Sequence, residues 1–297
     1  MAAAVSFSVQ AADGYPIRGF HWRHGSEGQG RLPVVVINAA NSVRCRYYFR
    51  FAGFLFDNGF DAIAYDYRGI GESRPERLRG FRAGWLDWGR LDFDAVLRYA
   101  IRECPGRPIQ VVAHSIGGYL IGLAESSHRI ERIFTVGAQY AYWPDYAPAS
   151  RLRMVARWHI AMPLITALWG YCPAKRLGWM EDTPRGVVRD WAFSRKHQKD
   201  LGPLAATVSA PILAVSTTDD EFGTVRAVER LLAYFSRSER THVRVSPESI
   251  GETAIGHFAF FHSRFEQTLW RIPLAWLSSG EISTNRGRPW ETICSKR

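Results

Sequence analysis

The chain has 297 residues, 46% of them hydrophobic, and a formal net charge of +10, enough for one large α/β domain or two small ones with a sizeable core. Its lysines are Lys175, Lys196, Lys199 and Lys296, its arginines are scattered rather than gathered on one helix, and no nucleic-acid-binding motif accompanies them. Nucleic acid is therefore not the expected partner, and the charge reads as a source of solubility. Cys45, Cys104, Cys172 and Cys294 have neither metal-ligand nor C-x-x-C spacing, which points to free thiols in a reducing compartment and to no bound metal.

The start, Met1 to Gln10, lacks the basic region and long apolar core of a signal peptide. The longest apolar stretches, such as Ile160 to Tyr171, are interrupted by Pro163 and fall short of the ~20 residues a membrane span needs. A soluble cytoplasmic protein with no stable membrane insertion is the expectation. In chain order, Val5 to Val9 alternates apolar and polar residues, Asp13-Gly14 supplies a hairpin turn, and Ile17 to Trp22 reads as the return strand. Leu32 to Ile37 is an unbroken apolar run, as in a central strand. The small and polar loop Asn38-Ala39-Ala40-Asn41-Ser42 follows, then a helix from about Tyr47 to Asn58. Asp61 to Tyr67 gives another strand. It closes in Asp66-Tyr67-Arg68-Gly69-Ile70-Gly71-Glu72-Ser73, which lacks the lysine and helix start of a phosphate-binding loop and reads as structural. Trp85 to Cys104 reads as a helix.

Ile109, Val111 and Val112 then open the segment around which the chain is organised. A buried strand leads into Ala113-His114-Ser115-Ile116-Gly117, and a helical run follows through Tyr119, Leu120, Ile121, Leu123 and Ala124. Strand, tight turn and helix form the context in which G-x-S-x-G means a nucleophile elbow, with alanine here in the place of the first glycine. Such a turn exposes Ser115 Oγ in a cleft and leaves the Ile116 backbone N–H free near a helix N-terminus to face a developing oxyanion. The small-residue loop after the earlier strand can provide the second donor, assigned to Ala40 N–H with the register between Ala39 and Ala40 open.

After a strand at Ile130 to Val136 the alternation of strands and helices stops. Residues 141–206 hold Trp143, Trp158, Trp169, Trp179 and Trp191 and are broken by Pro144, Pro148, Pro163, Pro173 and Pro184. They read as a helical cap inserted over the site, whose aromatic faces line an acyl or aryl pocket or pack the cap's own core. Pro211 to Ser216 resumes the sheet and runs into Thr217-Thr218-Asp219-Asp220-Glu221-Phe222-Gly223-Thr224. A helix at Val225 to Phe235, a last strand at Thr241 to Val245, a loop with Gly256-His257-Phe258 and a closing helix at Phe261 to Ser278 complete the reading. Residues 281–297 read as a polar, frayed tail.

The elbow at Ala113 to Gly118, the strand end at Asp66 to Ser73, the acidic loop at Asp219-Asp220 and Gly256-His257 together resemble the α/β-hydrolase superfamily. Within it they are similar to a bacterial branch of serine hydrolases akin to the monoacylglycerol-lipase and serine-aminopeptidase groups, and they follow its Ser, Asp, His order. The resemblance implies an α/β-hydrolase fold: a mostly parallel central sheet flanked by helices, with a core of residues 1–140 and 207–280 and a cap of residues 141–206. It implies Ser115 as nucleophile, His257 as general base and Asp220 as the acid that orients it, with Asp219, Glu221 and Asp145 as the alternatives to Asp220. The expected pocket comprises Asn41, His114, Trp143, Trp158, Trp169, Phe222 and Phe258. The reaction so implied is hydrolysis of a small-molecule carboxylic ester with an uncharged, fairly hydrophobic group, without a cofactor. Amidase, peptidase and acyltransferase chemistry use the same triad, and a non-catalytic hydrolase-like binding module is the reading from another class. The sequence does not give the oligomeric state.

Overall fold

The computed structural model describes residues 4–25, 33–284 and 290–296. The opening hairpin is β1 (Val5–Gln10) and β2 (Pro16–Trp22), antiparallel, with Val9 opposite Ile17. The apolar runs that follow become β3 (Val34–Asn38), β4 (Asp61–Tyr65), β5 (Ile109–His114), β6 (Ile130–Val136) and β7 (Ile212–Thr217). Every residue of β3, β4, β5 and β7 is buried. That accounts for their continuous Val, Ile and Ala content, since a parallel strand with helices on both faces has no solvent side. Leu32, the expected first residue of the third strand, lies outside the described residues.

With β8 (Arg240–Val245) and β9 (Glu291–Lys296), the sheet runs in the order β1-β2-β4-β3-β5-β6-β7-β8-β9. All pairs from β4 to β8 are parallel. The carboxyl ends of β5, β7 and β8 therefore open on one side of the sheet, where ligands of such sheets bind. The last strand differs from expectation. Residues 291–296 do not fray: they pair antiparallel with β8, Thr241 opposite Ser295. An edge strand needs no continuous apolar run, so its polar residues gave no strand signal.

Helix α1 (Phe49–Asp57) follows a 3₁₀ turn at Cys45–Tyr48. The expected helix from Trp85 forms in three pieces, Trp85–Asp87, a π-helical stretch Trp88–Phe93 and α2 (Asp94–Glu103). The elbow helix α3 spans Ile116–Ile121. Between β6 and β7 lies a helical run of Arg151–Met154, a π stretch Val155–Ala161 and α4 (Met162–Trp169). A two-residue hairpin pairs Tyr171–Cys172 with Thr183–Pro184, and α5 (Arg185–Ala192) follows. Helix α6 (Val225–Leu232) starts on a Thr224 hydroxyl that accepts from Ala227 N–H. The closing helix is shorter than expected: α7 covers Arg271–Ser279, and Ala259–Phe261 and Ser263–Phe265 form 3₁₀ turns instead. Among the described residues no helix is long and apolar enough to cross a membrane.

Candidate active site

Ser115 stands between β5 and α3 with φ 56° and ψ −121°, a left-handed conformation that a serine adopts only under constraint. The constraint is visible: Ser115 N–H donates to Val136 O at 2.9 Å, and α3 begins at once. Gly117 makes this possible, because a Cβ there would lie 2.6 Å from Asn38 O and 2.9 Å from Asn38 Cβ. Even a methyl group would push the elbow off β3. Ile116 is the first helical residue, so its N–H has no preceding turn to bond.

His257 Nδ1 and Asp220 Oδ2 are 2.7 Å apart, both residues buried. Asp220 Oδ1 accepts from Phe222 N–H and Gly223 N–H, each at 2.8 Å. Burial alone would raise this carboxyl, but the His257 ring and the two N–H groups more than offset it, and its pKa falls below the ordinary value. The neighbouring Asp219 does something else: its Oδ2 accepts from Ile255 N–H at 2.7 Å and Gly256 N–H at 2.8 Å, fixing the loop that carries His257. Of the other acids, Glu221 pairs with Arg153, and buried Asp145 pairs with Arg230. Gly137, at φ 55°, passes beside the pair. A Cβ on it would meet Asp220 Oδ2 at 2.8 Å and His257 Cε1 at 3.1 Å.

The Ser115 hydroxyl accepts a hydrogen bond from Gln139 Nε2 at 3.3 Å. The amide is oriented by its other end, where Oε1 takes the Ala141 N–H, a group that can only donate. Among the described residues no hydrogen bond joins Ser115 Oγ to the His257 ring.

Two expected roles need correction. Ala40 N–H donates to Tyr48 Oη at 2.9 Å, so it is committed and does not stand free for an oxyanion. Tyr48 Oη in turn lies 2.8 Å from His114 Nδ1, and His114 Nε2 lies 2.8 Å from His257 O. A carbonyl only accepts, so His114 carries its proton on Nε2, and the tyrosine donates to Nδ1. His114 is therefore a fully buried tie between the loop after β3 and the backbone of His257, not a pocket wall. Burial and then the neighbouring His257 hold its pKa down to about 3.

A cavity of about 260 Å³ lies against the His257 side of the site, lined among others by Met154, Trp158, Trp191, Phe222 and Phe258. The Phe222 and Phe258 rings sit 4.9 and 5.0 Å from the His257 ring. Trp158 stacks on Trp191 at 5.3 Å. Of the expected pocket residues, Trp158, Phe222 and Phe258 are in this wall. Trp143 and Trp169 are instead exposed on the surface and do not line it. Asn41 is buried with its amide spent, Nδ2 on Ser42 Oγ at 2.8 Å and Oδ1 on Trp85 Nε1 at 2.9 Å. His21, Asp61 and Cys104 offer ligand atoms within 4.8 Å of one another, but at the opposite end of the sheet, where Asp61 already serves Arg107 at 2.6 Å and His24 at 2.9 Å.

The family model described as "Serine aminopeptidase, S33" matches residues 32–248, well over half of the chain. The chain belongs to the serine aminopeptidase S33 family. Its fold is the α/β-hydrolase fold, as solved structures also show. A soluble variant of monoglyceride lipase from Saccharomyces cerevisiae, in complex with a substrate analog, superposes with a TM-score of 0.67 at 14% identity, covering 93% of this chain and 95% of that one. DcsB in complex with its substrate analogue gives 0.64 at 14% identity, covering 94% and 99%. The Pyrococcus furiosus esterase Pf2001 gives 0.58 at 12% identity, covering 92% and 90%. At these identities the likeness carries the fold alone. No protein of curated function matches the sequence at a significant level.

In this member of a hydrolase family, sequence reasoning missed three residues around the site: Gln139, Gly137 and Tyr48. A glycine directly after β6 was the one signal on offer, since a strand-end glycine permits a close approach. Nothing in the pattern marked Gln139, or a tyrosine ten residues beyond β3 reaching back to Ala40.

Proposed function

We propose that the protein is a serine hydrolase of carboxylic esters that works through an acyl-enzyme on Ser115. The observation that carries this reading is the Asp220–His257 hydrogen bond of 2.7 Å at the strand ends flanking a serine held at φ 56°. With Nδ1 engaged by Asp220, Nε2 is the His257 nitrogen that accepts the Ser115 proton as Oγ attacks the ester carbonyl. The negative charge that develops on the carbonyl oxygen falls to Ile116 N–H. His257 then protonates the alkoxy leaving group, the alcohol departs, and an acyl-Ser115 ester remains. A water, deprotonated by the same nitrogen, attacks that ester, and Ser115 leaves with its proton restored. Active-site contacts of this kind are often long in the free enzyme and tighten with substrate bound. A free hydroxyl resting on Gln139 fits that behaviour.

The aromatic wall of Trp158, Trp191, Phe222 and Phe258 supports an uncharged, hydrophobic acyl or aryl group, with residues 141–206 acting as the cap over it. The family's name brings in peptides as the second substrate class, since the same serine chemistry cleaves an amide. Among the described residues Cys45, Cys104 and Cys172 are buried free thiols, which supports a reducing cytoplasmic setting. The test is a panel of chromogenic esters of increasing acyl length beside aminoacyl anilides. Turnover of esters over anilides, rising with acyl length and falling by on the order of 10⁶ in kcat for Ser115→Ala, is expected. Anilide turnover without ester turnover moves the activity to peptides, and turnover of neither leaves a binding module.

A further inference from the structure

The helical run from Arg151 to Trp169 is apolar on two opposite sides. Met154, Trp158, Met162 and Thr166 recur every fourth residue and are buried against the core. Leu152, Ile160, Leu164 and Leu168 fall on another series with the same spacing and are 87, 54, 63 and 74% exposed. Exposed Ala156 fills the gap in that series. In a continuous α-helix a four-residue series drifts about 40° around the axis per step, so either row would wander to the far side. The π stretch Val155–Ala161 prevents this. A π turn takes more residues than an α turn, so a four-residue step falls short of a full turn there and the drift reverses. Both rows stay straight as a result. A single apolar stripe suffices to seat a helix on a core, and here a second long apolar face is left open.

Along the chain the charged residues that flank this face are all cations, and the nearby acids Glu181 and Glu221 are each paired with a cation. No acidic residue occurs between Asp145 and Glu181, and no charged residue at all from Ile160 to Ala174. Arg151, Arg153 and Arg157 stand at one end of the row, Lys175 and Arg176 at the other. Arg153 is paired with Glu221 and Lys175 with Glu181. Arg151, Arg157 and Arg176 have no carboxylate partner among the described residues.

We propose that this face docks the protein on an anionic lipid membrane. The leucine row enters the boundary between headgroups and acyl chains, and the flanking cations meet lipid phosphates, with the helix lying in the interface plane. It does not span the bilayer, because its inner row is committed to the core through Trp158 on Trp191. A second copy of the chain is a poor occupant, since two such faces would set cation against cation. Arg153 and Arg157 flank the exposed row and also line the aromatic cavity, whereas Met154 and Trp158 meet that cavity from the buried row.

The experiment is flotation of the full chain with vesicles of pure phosphatidylcholine and of phosphatidylcholine mixed with phosphatidylglycerol, at low and high salt. The wild type is expected to float with the mixed vesicles, about tenfold less with neutral ones, and to be released by salt. The double variant Leu164→Gln/Leu168→Gln changes only exposed side chains. It is expected to keep the wild-type melting temperature and to lose about tenfold or more of vesicle binding. A wild type that ignores mixed vesicles at low salt overturns the proposal, and so does a double variant that binds them as well as the wild type. A concentration-dependent dimer in sedimentation velocity, lost in the double variant while neither protein binds vesicles, assigns the face to a second copy instead.

Discussion

Asp220 Oδ2 touches the His257 ring and its Oδ1 takes two N–H groups of its own turn, whereas Asp219 accepts only backbone N–H groups from the loop two residues ahead of the histidine. An asparagine at 219 keeps an oxygen for those N–H groups. An asparagine at 220 puts an amide or a weaker acceptor against Nδ1 and loses the charge that stabilises the imidazolium. Asp220→Asn is therefore expected to lower kcat by on the order of 10⁴, and Asp219→Asn to stay within about tenfold of wild type while the melting temperature falls. Steady-state kinetics on one chromogenic ester measure both, and equal losses would contradict the division of labour. Ser115 and His257 stand out as candidates along the chain because the elbow spacing and a histidine in the loop after the last parallel strand are local patterns. Ala40 could not be assigned in the same way. Whether its N–H is free depends on Tyr48 Oη, which the turn at Cys45–Tyr48 carries back to Ala40 and which His114 of β5 also holds.

Strands were easier to read than helices, for a physical reason. A strand buried on both faces leaves an unbroken apolar run, so β3, β4, β5 and β7 stand out in the sequence, while β9, an edge strand, leaves none. The apolar residues Phe260, Phe261, Phe265, Leu269 and Trp270 are buried as a helix would require, yet they sit mostly in 3₁₀ turns before α7. Hydrophobic spacing over so few turns does not separate the two. The same limit hides the π stretches at Trp88–Phe93 and Val155–Ala161. At the end of β5, His114 ties the sheet to the His257 loop, and this tie is sensitive to acid. Its folded pKa is about 3, against 6.5 for the free side chain. Between those values the unfolded chain binds the extra proton and the folded one does not, so stability falls as pH drops from about 6.5 toward about 3. Burial lowers His159 and His242 in the same direction. Thermal melts across that range should show a declining melting temperature in the wild type and a shallower decline in His114→Gln. Parallel curves for the two proteins would mean that His114 is not a source of the slope.

Across the whole molecule, the residues of the site come from segments far apart in sequence, and the parallel sheet gathers them. Ser115 follows β5, Gly137 and Gln139 follow β6, Asp220 follows β7, and His257 follows β8. The strand order of the sheet sets these ends side by side. The net charge of +10, read from the sequence as solubility, becomes local in the structure, with cations bracketing an uncharged, leucine-rich helix. Composition could not show this, because the pairing that removes some cations and leaves others is a tertiary fact. On the proposed reading this gathering turns one serine into a nucleophile. Labelling of the full chain with a fluorophosphonate, followed by peptide mass spectrometry, tests it most directly. One adduct per chain is expected, on Ser115, absent in Ser115→Ala and strongly slowed in His257→Ala. An unlabelled wild type, or an adduct on another residue that persists in Ser115→Ala, would contradict it.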